Sequence, residues 1–579
     1  MAFLPSQLIG GDLEWLLDFT AKDQDLHFSR VPLTATIDGT EYNYLGGLDF
    51  SEDFADGIDP FGASPEEHSV EVSIASDLLL PIVAEISRGF DLAAARGKLW
   101  LYERNSGAAI LFLDGVVRNV EWGDPEEPIT LTLEEVQADD PGLFPPPFAR
   151  VDSSTWPNHA PDAVGQRYPW VIGQPGYHFN TSTGNTASGY CVPAPLVISG
   201  TPAADQRVLI AGHHVEATFV WIYGDASGLY NRVAVTNTED GLGNPCALAE
   251  IGGTGSGASG VAADDDVFFA KFHSDGGGMV DASGDLMVGA GDVIRWMLTF
   301  SRMRIDHGRV AASLPSLNQY RIDASITCDP ERRFSPWSWI EDHFAEILPI
   351  SWRVSPGVHG GWYPVPWRFN ATSHDAVAQI TAAKATAAAI EGHEENEVWT
   401  ITTGRAQREG RVSFSDRSNV ANQITIEYQK DTRANKHRKR RTLTGDPEVL
   451  ARDPDASSNL YCHTSRTRYR GADGLPQTIE TQIATDVVWE DATANAILSW
   501  RSRKSALQAI LVSYTVDAEI AGHLEPGDVV TVTDQGLDWS EYLFIVEQIT
   551  WRSDGFIGLD LRSLVDAARD LAGFAGEDH

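Results

Sequence analysis

The chain has 579 residues, of which 42% are hydrophobic and 22% charged, a balance typical of globular rather than disordered proteins. At roughly 150 residues per domain, this length predicts about four domains. The formal net charge is −39 at pH 7, and a surface so acidic repels nucleic acid and anionic membranes. The totals therefore predict an acidic multidomain protein and argue against a binder that recruits either partner by charge.

The four cysteines favour buried thiols over metal or redox chemistry. Cys191, Cys246, Cys328 and Cys462 lie far apart in the sequence, with no C-x-x-C pair. The first residues, Met1 to Pro5, lack the basic start and apolar centre of a signal peptide. No run approaches the roughly 18 apolar residues that a membrane helix needs. We expect the protein to fold in the cytoplasm.

The N-terminal part of the chain alternates short apolar runs with turn residues, which predicts an antiparallel sheet or barrel. Its predicted strands are Leu33 to Ile37, Val70 to Ile74, Gly97 to Tyr102, Ala109 to Val117 and Ile129 to Leu133. A helix is predicted over residues 78–90.

The stretch "DFSEDFADGID" gathers five acids in what we predict to be one loop, namely Asp49, Glu52, Asp53, Asp56 and Asp59. A calcium site is one interpretation. The order of the acids does not match an EF-hand loop, so we favour a solvated loop.

Repeated prolines over residues 139–176 block both helix and central strand and indicate a connector. Residues 177–290 are rich in glycine and β-forming residues, and Val215 to Tyr223 is predicted as a largely buried strand.

Two helices are predicted next. The first is "GDVIRWMLTFSR" (291–302), with Asp292 in its first turn. The second has Ser335 as N-cap, Pro336 at the first helical position and Pro349 as its stop. Residues 375–392 are compatible with either helix or strand.

The stretch "RANKHRKRR", Arg433 to Arg441, is strongly basic in an acidic chain. It is either a nucleic-acid contact or a solvated, flexible loop, and we favour the loop. A helix is predicted from Asp491. The strands Val529–Thr533, Leu543–Trp551 and Phe556–Leu561 follow the turn Glu525-Pro526-Gly527-Asp528, which has type II chemistry.

No motif of catalysis or cofactor binding is complete. In "GTGSGASG" the glycines of residues 255–260 satisfy G-x-G-x-x-G, but three aspartates follow them instead of a helix that could hold a pyrophosphate. "HEENE" (393–397) lacks the second histidine of H-E-x-x-H, and His213 and His214 are adjacent rather than spaced for a metal. We therefore predict no catalytic residue, no cofactor and no metal site.

The order of four stretches resembles the tail hub, or baseplate hub, proteins of long-tailed bacteriophages and gene transfer agents. These stretches are "LFLDGVVRNVEWGDPEEPITLTLEE" (111–135), "YPWVIGQPG" (168–176), "GDVIRWMLTFSRMRIDHGRVAASLPSLNQYRID" with "SPWSWIEDHFAEILPISW" (291–352), and "VSYTVDAEIAGHLEPGDVVTVTD" with the strands after it (512–564). Residues 177–290 and 433–480 match less well.

The resemblance implies a homotrimer in which two barrel domains per chain build a pseudo-six-fold ring. That ring would join the hexameric tail tube and distal tail protein above to three-fold tip or fibre proteins below. Genomic DNA would pass through its channel without specific binding. Because a closed ring also covers strand edges that would otherwise stay open, the implied assembly is physically consistent. The expected location is the virion, after assembly in the host cytoplasm.

We accordingly expect a mainly β, multidomain α+β chain with two tail-tube-like β-barrel hub domains and inserted or peripheral β-rich domains. The expected division is an N-terminal barrel (1–150), a connector (151–176), an inserted β-rich domain (177–290), a helix-containing hub domain (291–445) and a C-terminal region that completes the second barrel (446–579).

Two alternatives remain. One is a tail-associated cell-wall or polysaccharide hydrolase. The other is a hub whose residues 177–290 form a carbohydrate-binding module, with Trp221 and Tyr223 as stacking residues or, as we favour, as core.

Overall fold

The computed structural model of the chain is mainly β with six α-helices among the residues it describes, as the sequence predicts. The described residues are 13–21, 24–50, 54–57, 69–75, 95–121, 128–135, 142–144, 149–176, 191–199, 205–224, 230–251, 267–272, 276–281, 283–326, 334–355, 361–382, 406–517, 521, 524–534, 536–551 and 556–564. No helix among them is long and apolar enough to cross a membrane.

Ten strands lie in the first 135 residues: β1 (Leu13–Ala21), β2 (Gln24–Ser29), β3 (Leu33–Ile37), β4 (Thr40–Gly46), β5 (Leu48–Phe50), β6 (Phe54–Gly57), β7 (Ser69–Ile74), β8 (Arg96–Glu103), β9 (Ala108–Glu121) and β10 (Ile129–Glu135). All but β6 form one sheet in the order β3-β4-β2-β1-β8-β9-β10-β7-β5. The sheet curls, since the Gly47 N–H beside β5 donates to the Arg30 carbonyl beside β2 at 3.4 Å. The strands predicted here are confirmed, and the helix predicted over 78–90 lies outside the described residues.

The acids of "DFSEDFADGID" do not share one loop. Asp49 lies in β5 and Asp56 in β6, and Glu52, Asp53 and Asp59 lie outside the described residues. The prediction of a single loop is therefore wrong for the two described acids, because both segments pair as strands.

The central part of the chain contains the strands β11 (Trp170–Ile172), β12 (Val192–Pro193), β13 (Leu196–Ile198), β14 (Arg207–Ala211), β15 (Phe219–Gly224), β16 (Tyr230–Glu239), β17 (Pro245–Glu250) and β18 (Phe268–Lys271). A seven-stranded sheet has the order β12-β18-β15-β16-β17-β14-β13. The strand predicted from Val215 begins only at Phe219. The backbone of Val215 instead bonds the Asn237 amide (3.0 and 2.8 Å), and Glu216 and Ala217 donate to the Gly278 and Gly277 carbonyls.

Three helices and three short strands follow: α1 (Ala290–Leu298), α2 (His307–Leu317), β19 (Ala324–Ile326), α3 (Pro336–Phe344), β20 (Ile350–Val354) and β21 (Trp362–Pro366). α1 and α3 confirm the two predicted helices, but α1 ends at Leu298 rather than at residue 302 and α3 ends at Phe344, before Pro349. The Ser335 hydroxyl caps α3 by accepting from the Ser338 N–H at 2.9 Å. α2 was not predicted. It starts at Asp306, whose carboxylate accepts from the Arg309 N–H at 3.0 Å, and it contains Pro315.

The last part of the chain interleaves two sheets. Its elements are β22 (Ala378–Ala382), β23 (Ala406–Phe414), β24 (Gln423–Asp431), β25 (Lys436–Thr444), α4 (Pro447–Arg452), β26 (Ala456–Ser458), α5 (Leu460–Arg468), β27 (Glu480–Ala484), α6 (Asp491–Ser505), β28 (Ile510–Asp517), β29 (Val529–Asp534), β30 (Trp539–Trp551) and β31 (Phe556–Ser563). One sheet has the order β22-β29-β30-β31-β28-β23, and the other, β26-β25-β24-β27, is inserted between β23 and β28.

Two sequence predictions are decided in this region. The described part of residues 375–392 forms the strand β22, which pairs with β29 in parallel. The basic run is not a loop: its second half is strand β25, paired along its length with β24. The loop prediction is wrong because the neighbouring acids compensate the charges of this strand, as described below. The helix predicted from Asp491 is confirmed as α6.

Candidate functional site: the junction between two equivalent barrels

The first and last sheets contain a repeated motif. Residues 116–122 read "VVRNVEW" and residues 545–551 read "IVEQITW", and each is followed across a turn by a similar strand, "ITLTLE" (129–134) or "IGLDLR" (557–562). The strand order around the motif is also the same, β8-β9-β10-β7 in the first sheet and β29-β30-β31-β28 in the last. The first sheet and the last sheet, here called the first and the second barrel, are therefore equivalent structures within one chain.

Register confirms the equivalence at single-residue level. In the first barrel Val117 lies opposite Leu133 and Asn119 opposite Thr132, so that Arg118 is an extra, bulged residue. In the second barrel Val546 lies opposite Leu561 and Gln548 opposite Asp560, and Glu547 is the extra residue. A β-bulge bends its strand and increases the local twist, and both barrels carry it at the same position.

An ion pair sits on each bulge, with its charges exchanged. Arg118 binds Glu134 in the first barrel, whereas Glu547 binds Arg562 in the second. Arg118 and Glu547 occupy equivalent positions on the bulges, and Glu134 and Arg562 occupy equivalent positions on the partner strands. The pairs differ in burial. On the bulge, the side chain of Arg118 is 56% exposed and that of Glu547 is 17% exposed, while on the partner strand Glu134 is 24% exposed and Arg562 is 9% exposed. The second barrel is thus covered where the first is open.

Strand β6 provides this cover. It leaves the first barrel after β5 and pairs antiparallel with the end of β30, with Gly57 opposite Gln548 and Phe54 opposite Trp551. β29 pairs with β30 only up to Ile545, so β6 occupies the part of the β30 edge that β29 does not reach. Ile549 at this place is 2% exposed.

The two barrels also share one hydrophobic core. Leu17, Leu99 and Phe112 of the first barrel belong to the same buried cluster as Val530 and Val532 of the second. One aromatic contact crosses the junction, where Phe112 meets Trp551 edge-on at 5.7 Å, and Trp15 of the first barrel packs edge-on against the same Phe112 at 4.9 Å. Such pairs add to the free energy gained by burial alone, so they stabilise the packing of the two barrels against each other.

The turn before β29 attaches the second barrel to the central helices. Gly527 has a φ of +98°, and the Asp528 N–H donates to the Glu525 carbonyl at 3.0 Å, which completes the predicted turn. The Glu525 carboxylate binds the Arg309 guanidinium of α2 through both nitrogens, one of them at 2.8 Å. This hydrogen bonding raises the pKa of Arg309, and burial raises the pKa of Asp528. The turn therefore has a structural role.

Most basic side chains of β25 are paired with carboxylates of the same chain. Lys439 and Arg441 both bind Asp491, at 3.0 and 2.8 Å. Arg438 and Arg440 pair with Asp431 and Asp453, and His437 bonds Asp486 at 2.9 Å. Partial burial raises the pKa of Asp491, but hydrogen bonds from Lys439, Arg441 and Tyr428 outweigh it and lower the pKa to about 2. A nucleic acid would have to displace these carboxylates to bind here.

The residues proposed for sugar stacking are not free on a surface. Tyr223 is 4% exposed and packs with Phe269, and Trp221 is half-buried beside them. The interpretation of these rings as core is confirmed for Tyr223.

The remaining candidates from the sequence do not form a reactive centre among the described residues. His213 is buried, which lowers its pKa to about 4, and its Nε2 accepts from the Val171 N–H at 3.0 Å. Cys191, Cys246 and Cys462 are buried free thiols, as predicted. No group of three metal-binding side chains occurs in the described part of the chain. Cys328, "GTGSGASG" and "HEENE" lie outside it.

The sequence predictions missed the repeat, although it is visible in the sequence. Trp122 and Trp551 each have a β-branched residue two positions before them and another five positions before them. An alignment of the chain with itself around these tryptophans would have located both barrels and the bulge.

No family model and no curated protein matches the sequence. Among solved structures, the chain is similar to the tail protein from Neisseria meningitidis MC58, with 11% identity, coverage of 96% of this chain and 99% of that one, and a TM-score of 0.32. It is also similar to the 43 kDa tail protein of prophage MuSo2 from Shewanella oneidensis, with 10% identity, 95% and 98% coverage and a TM-score of 0.32. A chain of the native gene transfer agent virion aligns with 47% of this chain, over 85% of its own length, at 15% identity and a TM-score of 0.17.

These proteins are tail and virion components, the class that the sequence resembles.

Proposed function

We propose that the chain is a structural tail hub protein, a homotrimeric adaptor between the hexameric tail tube with its distal tail ring and the three-fold tail tip. The observation that carries this proposal is the pair of equivalent barrels joined by β6. Three copies of a chain with two equivalent barrels present six similar units around a three-fold axis. A ring of this kind matches a six-fold partner on one side and a three-fold partner on the other.

The charge of the chain supports a role as a channel for DNA. A net charge of −39 offers passing DNA no release of counterions and hence no binding sites along its path. The basic strand β25 is the exception to this pattern, and carboxylates of the same chain bind Lys439 and Arg441 there. We propose that genomic DNA passes through the ring without specific binding and that the protein acts in the virion.

We also propose the domain division at 150, 176, 290 and 445, with one refinement. The second barrel takes β22 and β23 from the fourth segment and β28 to β31 from the fifth. The four-stranded sheet of β24 to β27 is then an insertion in the second barrel.

Light scattering on the purified chain tests the adaptor. The proposal expects a species near three times the chain mass of 63.1 kDa. A protein that remains at 63.1 kDa at every concentration contradicts a self-assembling trimer.

We further propose that the chain is not an enzyme. Incubation with purified peptidoglycan and with capsular polysaccharide, followed by detection of new reducing ends, tests this proposal. We expect no release above buffer. Release that disappears when residues 177–290 are deleted would establish the hydrolase instead.

A further inference from the structure

Among the described residues, no strand covers the first barrel at the position where β6 covers the second barrel. β8 begins at Arg96, which lies opposite Val116, and the Ala95 carbonyl accepts from the Val117 N–H at 2.8 Å. Beyond this point β9 continues to Glu121. Among the described residues, no strand pairs with β9 there on the side of β8.

Exposure distinguishes the two equivalent edges. Arg118, Asn119 and Glu121 are exposed and Val120 is half-buried in the first barrel. Their equivalents in the second barrel, Glu547 to Thr550, are all buried or half-buried. The sequence motif, the bulge and the strand order are shared, but in the described part of the chain β6 lies along one edge and no strand lies along the other.

We propose that the edge of β9 over Arg118–Glu121 receives a strand from the second barrel of another copy of this chain. Within the chain, the equivalent bulged edge of the second barrel is completed by β6, a strand that follows the adjacent first barrel. This inference rests on the proposed function, because in a ring the neighbour of each first barrel is the second barrel of the next copy. Unpaired N–H and C=O groups of an exposed edge make it a natural template for such pairing.

The side chains on the bulge of the first barrel already have partners within the chain, so a strand that pairs with this edge does not have to supply them. Arg118 is already bound to Glu134, and the Asn119 amide donates to the Glu121 carboxylate at 2.9 Å. An incoming strand therefore meets paired side chains and bonds chiefly through its backbone. In the assembled state the Arg118–Glu134 pair would be shielded like the Glu547–Arg562 pair.

The reactivity of a thiol at position 119 tests the inference in the full-length protein. The variant Asn119→Cys is made in a Cys328→Ser background, with Ser457→Cys in the same background as the control, because Ser457 is exposed in the inserted sheet. Both thiols are labelled with a maleimide at low protein concentration and in the associated species isolated by size-exclusion chromatography. We expect association to slow labelling at position 119 at least about tenfold and to leave position 457 unchanged.

A reciprocal experiment checks cause and effect. A maleimide carrying a polyethylene glycol chain, attached at position 119 of the dissociated protein, is expected to prevent association, and the same group at position 457 is not.

The outcomes separate this inference from the proposed function. Association with equally fast labelling at position 119 overturns the edge contact and leaves the ring intact. A thiol already protected in the dissociated chain overturns it too, because another segment of the same chain then covers the edge. Absence of association at all concentrations contradicts both proposals.

Discussion

At the scale of single residues, carboxylates bind basic side chains from other elements of the chain and so hold those elements together. Asp491 stabilises two cations of β25 and the Tyr428 hydroxyl, which bonds it at 2.8 Å. Glu525 holds α2 against the second barrel. The bulge pairs Arg118–Glu134 and Arg562–Glu547 have the same geometry in different environments. Composition predicts the acidity of the chain but not these assignments, because partners such as Lys439 and Asp491 lie 52 positions apart.

Asp491→Asn is expected to lower the free energy of unfolding at pH 7 by about 1 kcal/mol, a value already reduced for the partial exposure of the site. The folded-state pKa of Asp491, about 2, is below the usual value near 3.9. Its contribution is therefore complete above about pH 4 and is lost as the pH falls towards 2. Urea denaturation of both proteins at pH 7 and at low pH measures the effect.

The difference between wild type and Asp491→Asn should disappear at the lower pH. The control is Glu448→Gln, which removes an exposed pair with Arg452 and should have an effect below about 0.5 kcal/mol at either pH. A constant difference between wild type and Asp491→Asn across the pH range would refute the charge-based explanation.

The repeated ion pair provides an internal control for the effect of burial. Arg562→Met is expected to cost about 3 kcal/mol, because it leaves the Glu547 carboxylate in a largely covered site without this partner. Arg118→Met, which removes the cation of the more exposed pair in the first barrel, is expected to cost less than about 1 kcal/mol. The midpoints of urea unfolding, followed by tryptophan fluorescence, compare the two variants in the dissociated protein. Equal losses would show that the covering by β6 has no energetic consequence.

At the scale of elements, local signals predicted some structures well and others poorly. The strands β3, β29 and β31 and the cap of α3 follow from alternation, turn chemistry and Ser335, all of which are local. β25 was missed because its side chains are basic, and two of the acids that bind them, Asp486 and Asp491, lie 49 and 52 positions away in the sequence. α2 was missed although Asp306 is a good N-cap, since Pro315 and polar residues weaken the helical pattern.

The pairing of β6 with β30 could not be predicted from local signals at all. It joins residues nearly 500 positions apart, from a segment whose composition indicates a loop. The cover of the second barrel, and hence the open edge of the first, depends on this contact. The sequence repeat marks where the two edges are, but not which of them is occupied.

Hydrogen exchange should distinguish the two edges in the dissociated chain. Amides of residues 548–551 are expected to exchange more slowly than those of 118–121, because β6 protects one edge. The double variant Ala55→Pro, Asp56→Pro removes two successive donors of β6, one of which faces β30, since neighbouring amides of a strand alternate in direction. Exchange at 548–551 should then approach that at 118–121.

The unchanged exchange of residues 129–133 in the central strand β10 serves as the control for global unfolding. If the double variant left 548–551 as protected as in the wild type, β6 would not be the protecting strand.

At the scale of the whole molecule, duplication connects the fold to the proposed assembly. One chain contains two equivalent barrels with a common core, and an intramolecular strand completes one of them. The resemblance in the sequence implied two barrels per chain. The repeat around Trp122 and Trp551 and the exchanged ion pairs give that implication a structural basis.

Negative-stain microscopy of the associated protein tests the central claim most directly. Class averages viewed along the symmetry axis are expected to show a closed ring with a central channel and six similar lobes, arranged with three-fold symmetry. A compact particle without a channel, or a ring whose lobes number other than six, would contradict the claim that two equivalent barrels per chain build a trimeric hub.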